Sequence, residues 1–484
     1  MPNLFPNGIQ GLSDSRWSGV AGSVAALIGI NLHSTPGLIK VHQKLTKNSG
    51  ATVDEFCKIA VSVSTGVQIW FSSTSGKIWE KDTSDVWTLV YTTAPGAGTA
   101  GCSGAKEFDG YIYWATQSRL HRMPVANLGS AANWTANAAA NWATFTETDA
   151  DFHPMALQNL QLFIGDANLI ARVDNEGTAG AHQFTANALD LNAPHRVSAL
   201  IDFDIDLLIG TFIHANVNTC HVYRWDTEDT SWMSDDAIDE NGVNAFIRDD
   251  NYVYAQCGRA GRIYFYNGEQ MAPFKRIPGD WSPTKTAQVY SQSVAMLLGT
   301  PVFGLSNLAG NPVNQGIYSF GSYSKDYNKI LDLSFPISTG TLTSIEVGAI
   351  ITEGANMYSA FKDGSSFGVD KLDYTAKYAS ATIETVMLSL GEARNFIKTT
   401  SKIFAHYASL PASTSITFSI RKYAGDSYRD LTSLDDTVLQ QIRAEDSGPD
   451  IANLQIKIAF TVNSNDAPEV EDVGYSTGQS DEQL

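Results

Sequence analysis

NYVYAQCGRAGRIYFYNG, residues 251–268, decides the fold. A short strand with aromatic and aliphatic residues is followed, after a Gly-rich turn, by a second strand with an Ile-Tyr core. The phrase recurs as VQIWFSS (67–73) with GKIWEKD (76–82), YIYWATQSRLHRM (111–123) and LQLFIGDANLIARVD (160–174). It returns as DLLIGTF (206–212) with CHVYRWD (220–226), as LLGTPVFGLSN (297–307) with QGIYSFG (315–321), and more loosely as NMYSAFKDGSSFGVDKLD (356–373). Ile78, Leu120, Leu169, Val222, Ile263, Ile317 and Phe367 hold equivalent places, 41–54 residues apart. Units of that period cannot bury both faces alone, so they stack, and the period suits four strands per unit. The expectation is an all-β chain built on a β-propeller of seven blades, with six as the alternative.

Within a unit the phrase supplies the first two strands. In the second unit, Arg119–Met123 reads as the second strand, Trp142–Thr146 as the third and Pro154–Leu157 as the fourth. Leu160–Ile164 then opens the next blade. Trp87, Trp142 and Trp232 mark third strands, where an aromatic packs between blades. Cys57–Val63 precedes the first copy and is expected to be the fourth strand of the last blade, pairing with residues 355–390. Such pairing of the chain's two ends leaves no open sheet edge.

The flanks do not follow the repeat. Residues 1–55 form an arm, in which Ser13-Asp14-Ser15 caps an expected helix from Arg16 to Ile30 with Val20, Val24, Leu27 and Ile28 on one face. Pro36-Gly37 is a type II turn signal. The propeller is placed at 56–377. Residues 378–484 read as a β-sandwich that also has strands to offer the last blade, with segments Ile383–Leu390, Ile403–Leu410, Ile416–Arg421 and Leu454–Val462. Leu431–Glu445 reads as a helical or irregular excursion and Thr477–Leu484 as a polar tail.

Composition narrows the functions. The 484-residue chain carries a net charge of −19 and only 17% charged residues. With no basic stripe to neutralise phosphates, direct nucleic-acid binding is not expected. The stretch Val20–Leu32 is interrupted by glycines and too short for a bilayer, and no secretory leader is legible. Cys57, Cys102, Cys220 and Cys257 lack metal-ligand or disulfide spacing and read as buried thiols of a protein made in a reducing cytoplasm, with Cys220 and Cys257 as candidate neighbours across adjacent blades.

Chemistry-bearing motifs are sparse. Gly96–Gly101 matches GxGxxG but lies between strands, so an inter-strand loop is expected. Asp202, Asp204 and Asp206 alternate, which in a continuous strand places three carboxylates on one side for a metal or acid/base pair. The competing reading is turn geometry, which also explains Asp226–Asp229 and Asp235–Asn241. No nucleophile elbow, HExxH or recurring S-x-D-x-G-x-T-W turn is present. His121 and His221 occupy equivalent strands and read as packing residues, and Asn133-Trp134-Thr135 is a lone glycosylation sequon. The expectation is therefore no catalytic residue, no cofactor and no resident metal.

Asn31-Leu32-His33-Ser34-Thr35-Pro36-Gly37-Leu38-Ile39-Lys40 resembles the S-x-P-G-h-x-K entry segment of virion propeller proteins in tailed bacteriophages. These include the tail accessory, or packaged-DNA stabilisation, proteins of short-tailed phages. Lys402–Ile416 and Asn465–Val473 are similar to phage structural proteins. The long apolar stretch Trp17–Ile30 departs from the family pattern. The resemblance implies a non-enzymatic structural component at the tail, neck or portal vertex, found in the virion and made in the host cytoplasm. Its implied partners are portal, tail or head–tail connector proteins, and its implied state is a homo-oligomeric ring. Trp17, Leu27, Leu32, His33, Pro36, Gly37, Leu38 and Ile39 are the expected contact residues, bracing the chain's own propeller or a neighbouring subunit. Two other classes stay open: a virion-borne glycan-binding adhesin, and a glycoside hydrolase using Asp202, Asp204 and Asp206.

Overall fold

The fold is described from a computed structural model, which covers residues 9–13, 22–35, 38–92, 101–139, 141–147, 152–175, 181–213, 217–249, 252–277, 287–307, 315–321, 329–339, 345–389, 398–407, 409–421, 423, 425–431, 441–442 and 453–479. It is nearly all strand. Six antiparallel four-stranded sheets stand alone, and a seventh four-stranded set is fused to the C-terminal sheet. From inside outward, blade one is Ile59–Ser62, Gln68–Phe71, Ile78–Lys81 and Trp87–Tyr91. Blade two is Gly104–Phe108, Tyr111–Thr116, Arg119–Pro124 and Ala143–Thr144; blade three is Met155–Gln158, Gln161–Asp166, Leu169–Asn175 and His182–Asp190. Blade four is His195–Phe203, Asp206–Ile213, Cys220–Trp225 and Ser234–Ile238; blade five is Val243–Asp249, Tyr252–Cys257, Arg262–Tyr266 and Met271–Arg276. Blade six is Val294–Leu297, Thr300–Asn307, Gly316–Gly321 and Ile330–Phe335. Blade seven is Ile345–Glu353, Asn356–Asp363, Ser366–Lys377 and, from the other end of the chain, Gln43–Lys47.

The apolar core is divided as this ring demands. One cluster fills each of the seven gaps between neighbouring blades, including the gap between blades seven and one, where Trp70, Trp79 and Trp87 meet Ala349, Tyr358 and Val369. Trp142 and Trp232 pack against the gaps that follow blades two and three, so the expected aromatic marker between blades is present. Close approach relies on glycine in the second strand. A Cβ on Gly165, Gly210 or Gly304 would lie 2.7, 2.6 or 2.2 Å from Cγ1 of Val197, Val243 or Val347 in the innermost strand of the following blade.

The strand phase differs from the expectation by one position. Met155–Gln158 is not an outermost strand but the innermost strand of blade three, joined to Gln161–Asp166 through Asn159 and Leu160, both with positive φ. Ile59–Ser62 likewise opens blade one and does not close the ring. The quoted phrase is therefore the second and third strands of each blade. Those two strands are central, hence the most apolar and the most legible, whereas innermost strands border a wet channel. Closure falls to Gln43–Lys47, so the expected arm contains a propeller strand, and the C-terminal part supplies none to blade seven. Residues 131–139 form a helix between the third and fourth strands of blade two. It carries the sequon, and its Trp134 is fully buried with Nε1–H donating to Glu80 at 3.4 Å.

Val24–Ile28 is a strand where a helix is expected, while residues 14–21, including Trp17, lie outside the described residues. It is buried on both faces, so its apolar spacing carries no strand alternation. It pairs in parallel with blade six (Ile28 with Leu333) and antiparallel with Thr382–Thr385. The outer strand of blade six thus continues through the arm into the C-terminal sheet, Thr382–Thr385, Asn453–Thr461, Ser415–Arg421 and Arg429–Asp430. Facing it is a second sheet of Gln441–Ile442, Lys398–Tyr407 and Val470–Gln479. Ile403, Ala405 and Val473 from the second sheet and Phe418, Ile456 and Ile458 from the first share one core, which makes this part a sandwich. Residues 477–479, expected in a tail, pair with Lys398–Thr400. The expected excursion at 431–445 lies mostly outside the described residues.

Two outcomes follow. Gly210→Ala should lower stability by about 1–3 kcal/mol in denaturant titration, and adding Val243→Ala should recover part of the loss because the two side chains compete for one space. In blade seven, Asp370 is buried and accepts hydrogen bonds from the N–H (2.9 Å) and hydroxyl (2.5 Å) of Ser338, yet burial pushes its carboxyl up to about 6. A raised folded-state value means the folded chain binds this proton more tightly than the unfolded chain. The contribution of Asp370 therefore worsens as pH rises from about 4 to about 6 and is flat above that. The stability advantage of Asp370→Asn over the parent at pH 7 should shrink by roughly 3 kcal/mol on going to about pH 4, measured by thermal unfolding across that range.

Candidate axial channel

An innermost strand is hydrogen-bonded on one side only, so seven of them leave alternating backbone N–H and C=O groups facing the axis. All seven line one cavity of about 760 Å³, through residues that include Ala60, Lys106, Leu157, Asp202, Arg248, Met296 and Thr352. A second cavity of about 300 Å³ lies at the other ends of these strands, bordered by Lys58, Gln117, Ser198, Asn241 and Tyr290. Ser291 belongs to both.

Gln292 spans the channel where the cavities meet. Its Oε1 accepts from Ala60 N–H of blade one at 2.9 Å, and its Nε2 donates to Ala105 C=O of blade two at 2.7 Å. Its own backbone carbonyl accepts from Ile350 N–H of blade seven at 3.0 Å. One side chain from the start of blade six thus ties inner-edge groups across the axis.

The wider mouth is charged. Arg248 of blade five pairs with Asp202 of blade four, and Glu107 of blade two accepts from the N–H (2.7 Å) and hydroxyl (2.5 Å) of Ser64 in the first hairpin of blade one. Lys106 extends into the cavity with no ion pair among the described residues. Desolvation holds its ammonium below the ordinary lysine range, and Asp202 partly offsets this.

The three alternating aspartates do not converge. A turn at Asp204 (φ 55°) and Ile205 reverses the chain, so Asp202 and Asp206 sit on different strands. Asp206 is buried against Arg224 at 2.5 Å, and the Asp204 carbonyl accepts from Gln158. Among the described residues no group of three or more His, Cys, Asp or Glu is arranged to hold a metal. His121 stacks on Trp114 at 5.2 Å, and His221 stacks on Tyr223 and pairs with Asp235 at 2.9 Å. The Asp226 carboxylate caps its own turn through the N–H groups of Glu228 and Asp229. All four cysteines are buried free thiols, and Cys220 and Cys257 are neighbours across blades four and five. Residues 96–100 of the GxGxxG match lie outside the described residues.

Of the expected contact residues, Leu27, Leu32 and Ile39 are buried in the chain's own core between blade six and the sandwich. His33 Nε2 meets Asp332 Oδ1 of blade six at 2.5 Å. Leu38 is partly buried, and Pro36 and Gly37 lie outside the described residues. The channel groups Lys58, Lys106 and Gln292 were not legible in sequence. They sit in innermost strands or just ahead of them, where side chains facing water and side chains facing a neighbour alternate irregularly.

No family model matches this chain, and no curated protein matches it. Solved structures of similar arrangement include the extracellular domain of BT4673 from B. thetaiotaomicron, at 13% identity and TM-score 0.42. That match covers 77% of this chain and 44% of the other, so the chain spans less than half of that structure's length. Virginiamycin B lyase from Staphylococcus aureus matches at 12% identity and TM-score 0.43, covering 68% of this chain and 98% of that one. The Neurospora crassa Pan2 WD40 domain matches at 9% identity and TM-score 0.40, covering 76% and 99%. The propeller assignment stands on the strand pairing itself.

Gln292→Leu should cost about 1–3 kcal/mol, because Ala60 N–H and Ala105 C=O lose their partner in a narrow channel. Urea titration reads the loss; an unchanged midpoint would mean that water replaces the amide without penalty.

Proposed function

We propose that this chain is a non-enzymatic structural component of a bacteriophage virion, an assembly platform at the tail, neck or portal vertex. The observation that carries the reading is an apolar crescent on one propeller face. The hairpins joining first to second strands all emerge on that face, around the wide channel mouth. In blades three to six they present Leu160, Ile205, Tyr252 and Leu298, exposed by 91, 66, 52 and 71%. Leu160 (φ 59°) and Leu298 (φ 49°) adopt the left-handed conformation that glycine or asparagine takes at lower cost. A strained, solvated leucine adds nothing to folding, and large apolar side chains exposed on successive hairpins of one face suit a contact surface.

Two further features support a platform. The resemblance of Asn31–Lys40 to phage propeller proteins falls on the segment that joins blade six, blade seven and the sandwich. The apolar clusters bind all blades and the sandwich into one continuous body. A glycosidase needs two carboxylates facing one substrate, whereas Asp202 and Asp206 are each held by an arginine on separate strands. Neighbouring portal, tail or connector proteins, or further copies in a ring, are the partners this reading calls for.

Deleting residues 1–45 is a poor test, because it removes Val24–Ile28 and most of the strand that closes blade seven. The pair Leu160→Gly with Leu298→Gly is cleaner. The purified variant should melt at or above the parent temperature, since two left-handed leucines are relieved, while its recovery in purified virions falls at least tenfold. Full incorporation of the variant, or absence of the parent chain from virions by mass spectrometry, would overturn the proposal.

A further inference from the structure

The smaller cavity lies at the opposite end of the channel from the apolar crescent, and its chemistry is different. Lys58 is fixed there by its backbone, whose N–H donates to Ser73 Oγ at 2.7 Å. Its ammonium sits over the Tyr290 ring at 4.5 Å and has no ion pair among the described residues. The nearby carboxylate, Glu346, is already held by Lys362 at 2.6 Å and by the Tyr290 hydroxyl at 2.7 Å. Among the described residues no carboxylate lines the cavity, in a chain whose net charge is −19. Desolvation keeps the Lys58 ammonium below the ordinary lysine range, a cost that an arriving anion relieves.

The remaining lining is neutral and patterned. The side-chain amides of Gln117, Asn241 and Gln288 border the cavity and make no hydrogen bond among the described residues. Each offers one acceptor and two donors, which is how adjacent hydroxyl groups are read. Phe152 and Phe212, edge to face at 6.0 Å and half-buried, supply an apolar wall suited to the C–H face of a sugar ring. The volume, about 300 Å³, is at the small end for ligand pockets and holds one ring of this size.

We propose that this cavity binds an acidic monosaccharide of the hexuronate class, with its carboxylate on Lys58, its hydroxyls on the three amides and its ring face on Phe152 and Phe212. A bare phosphate would satisfy Lys58 but leave the amides and rings without a role. The site is independent of the assembly surface, so either proposal can fail alone.

Isothermal titration of the full chain with glucuronate, galacturonate, glucose and inorganic phosphate tests it. One of the uronates should bind at least tenfold tighter than both glucose and phosphate. Lys58→Met should lower that affinity at least tenfold and Lys58→Arg by less, while Gln117→Leu should weaken the uronate but not phosphate. Should Lys58→Met fail to fold by thermal melt, Lys58→Arg and Gln117→Leu carry the decision. Failure of both uronates to bind, equal binding of glucose, or equal binding of phosphate would each overturn the assignment.

Discussion

The pairing of Gln43–Lys47 with Ser366–Lys377 is the constraint on which the ring depends. A blade buries both faces only if it has a neighbour on each side, so seven stacked sheets must close or leave two apolar faces in water. Blade seven has three strands of its own, and without the fourth its outer edge is an open row of backbone donors and acceptors. Leu45 of the closing strand also enters the core between blades six and seven, so the pairing and the packing are one event. The strands that meet are separated by more than three hundred residues. Bringing them together costs chain entropy that local hairpins do not, which places closure late in folding.

The same arm makes a second long-range connection before it reaches that strand. Val24–Ile28 lies between blade six and the sandwich, with hydrogen bonds from Leu12 N–H to Leu331 C=O (2.9 Å) and from Gly29 N–H to Leu333 C=O (2.8 Å). Ile39 and Val470 then exchange both backbone bonds at 2.8 and 3.1 Å. The arm therefore has no core of its own. Ahead of the closing strand, Ile9, Leu12, Val24, Leu27, Ile30, Leu32, Ile39 and Val41 belong to one cluster that also holds blade five, blade six and the sandwich. A lever applied to the sandwich is transmitted to the propeller through a continuous sheet, not through a flexible linker. That is the mechanical property a platform requires and a tethered binding module lacks.

How much of this was legible depends on where each strand lies. Second and third strands, such as Tyr252–Cys257 and Arg262–Tyr266, are covered on both faces and flanked on both edges, so their apolar runs stand out in the sequence. Innermost strands such as Gly104–Phe108 mix buried Ala105 with channel-facing Lys106, and their pattern dissolves. The repeat is therefore visible in the sequence, whereas its phase, set by the innermost strands, is not. The glycine in LFIGD, LLIGT and VFGL was an available signal: it recurs where the next blade's valine must approach. Val24–Ile28 reads as helical for another reason, since a strand buried on both faces has no alternation to distinguish it from a helix. The aspartate trio was readable only as far as its turn, because the arginines that hold Asp202 and Asp206 come from neighbouring strands.

The two ends of the channel follow from one geometric fact. Every innermost strand runs in the same sense, so all first hairpins reach one face and all blade-to-blade connections reach the other. A substitution in a first hairpin changes one face and leaves strand pairing intact, because two-residue turns tolerate any residue that accepts their φ. The crescent of Leu160, Ile205, Tyr252 and Leu298 collects on that face. The opposite end is bounded by the starts of the innermost strands and holds Lys58, whose neighbouring carboxylate, Glu346, is engaged by Lys362 and Tyr290. Acidic residues elsewhere give the chain its negative surface, which repels anions at long range. At short range, the burial of Lys58 strengthens its attraction for an anion despite that surface. The ring thus separates the exposed apolar hairpins from the Lys58 end by the length of a strand, and a change at one end need not disturb the other.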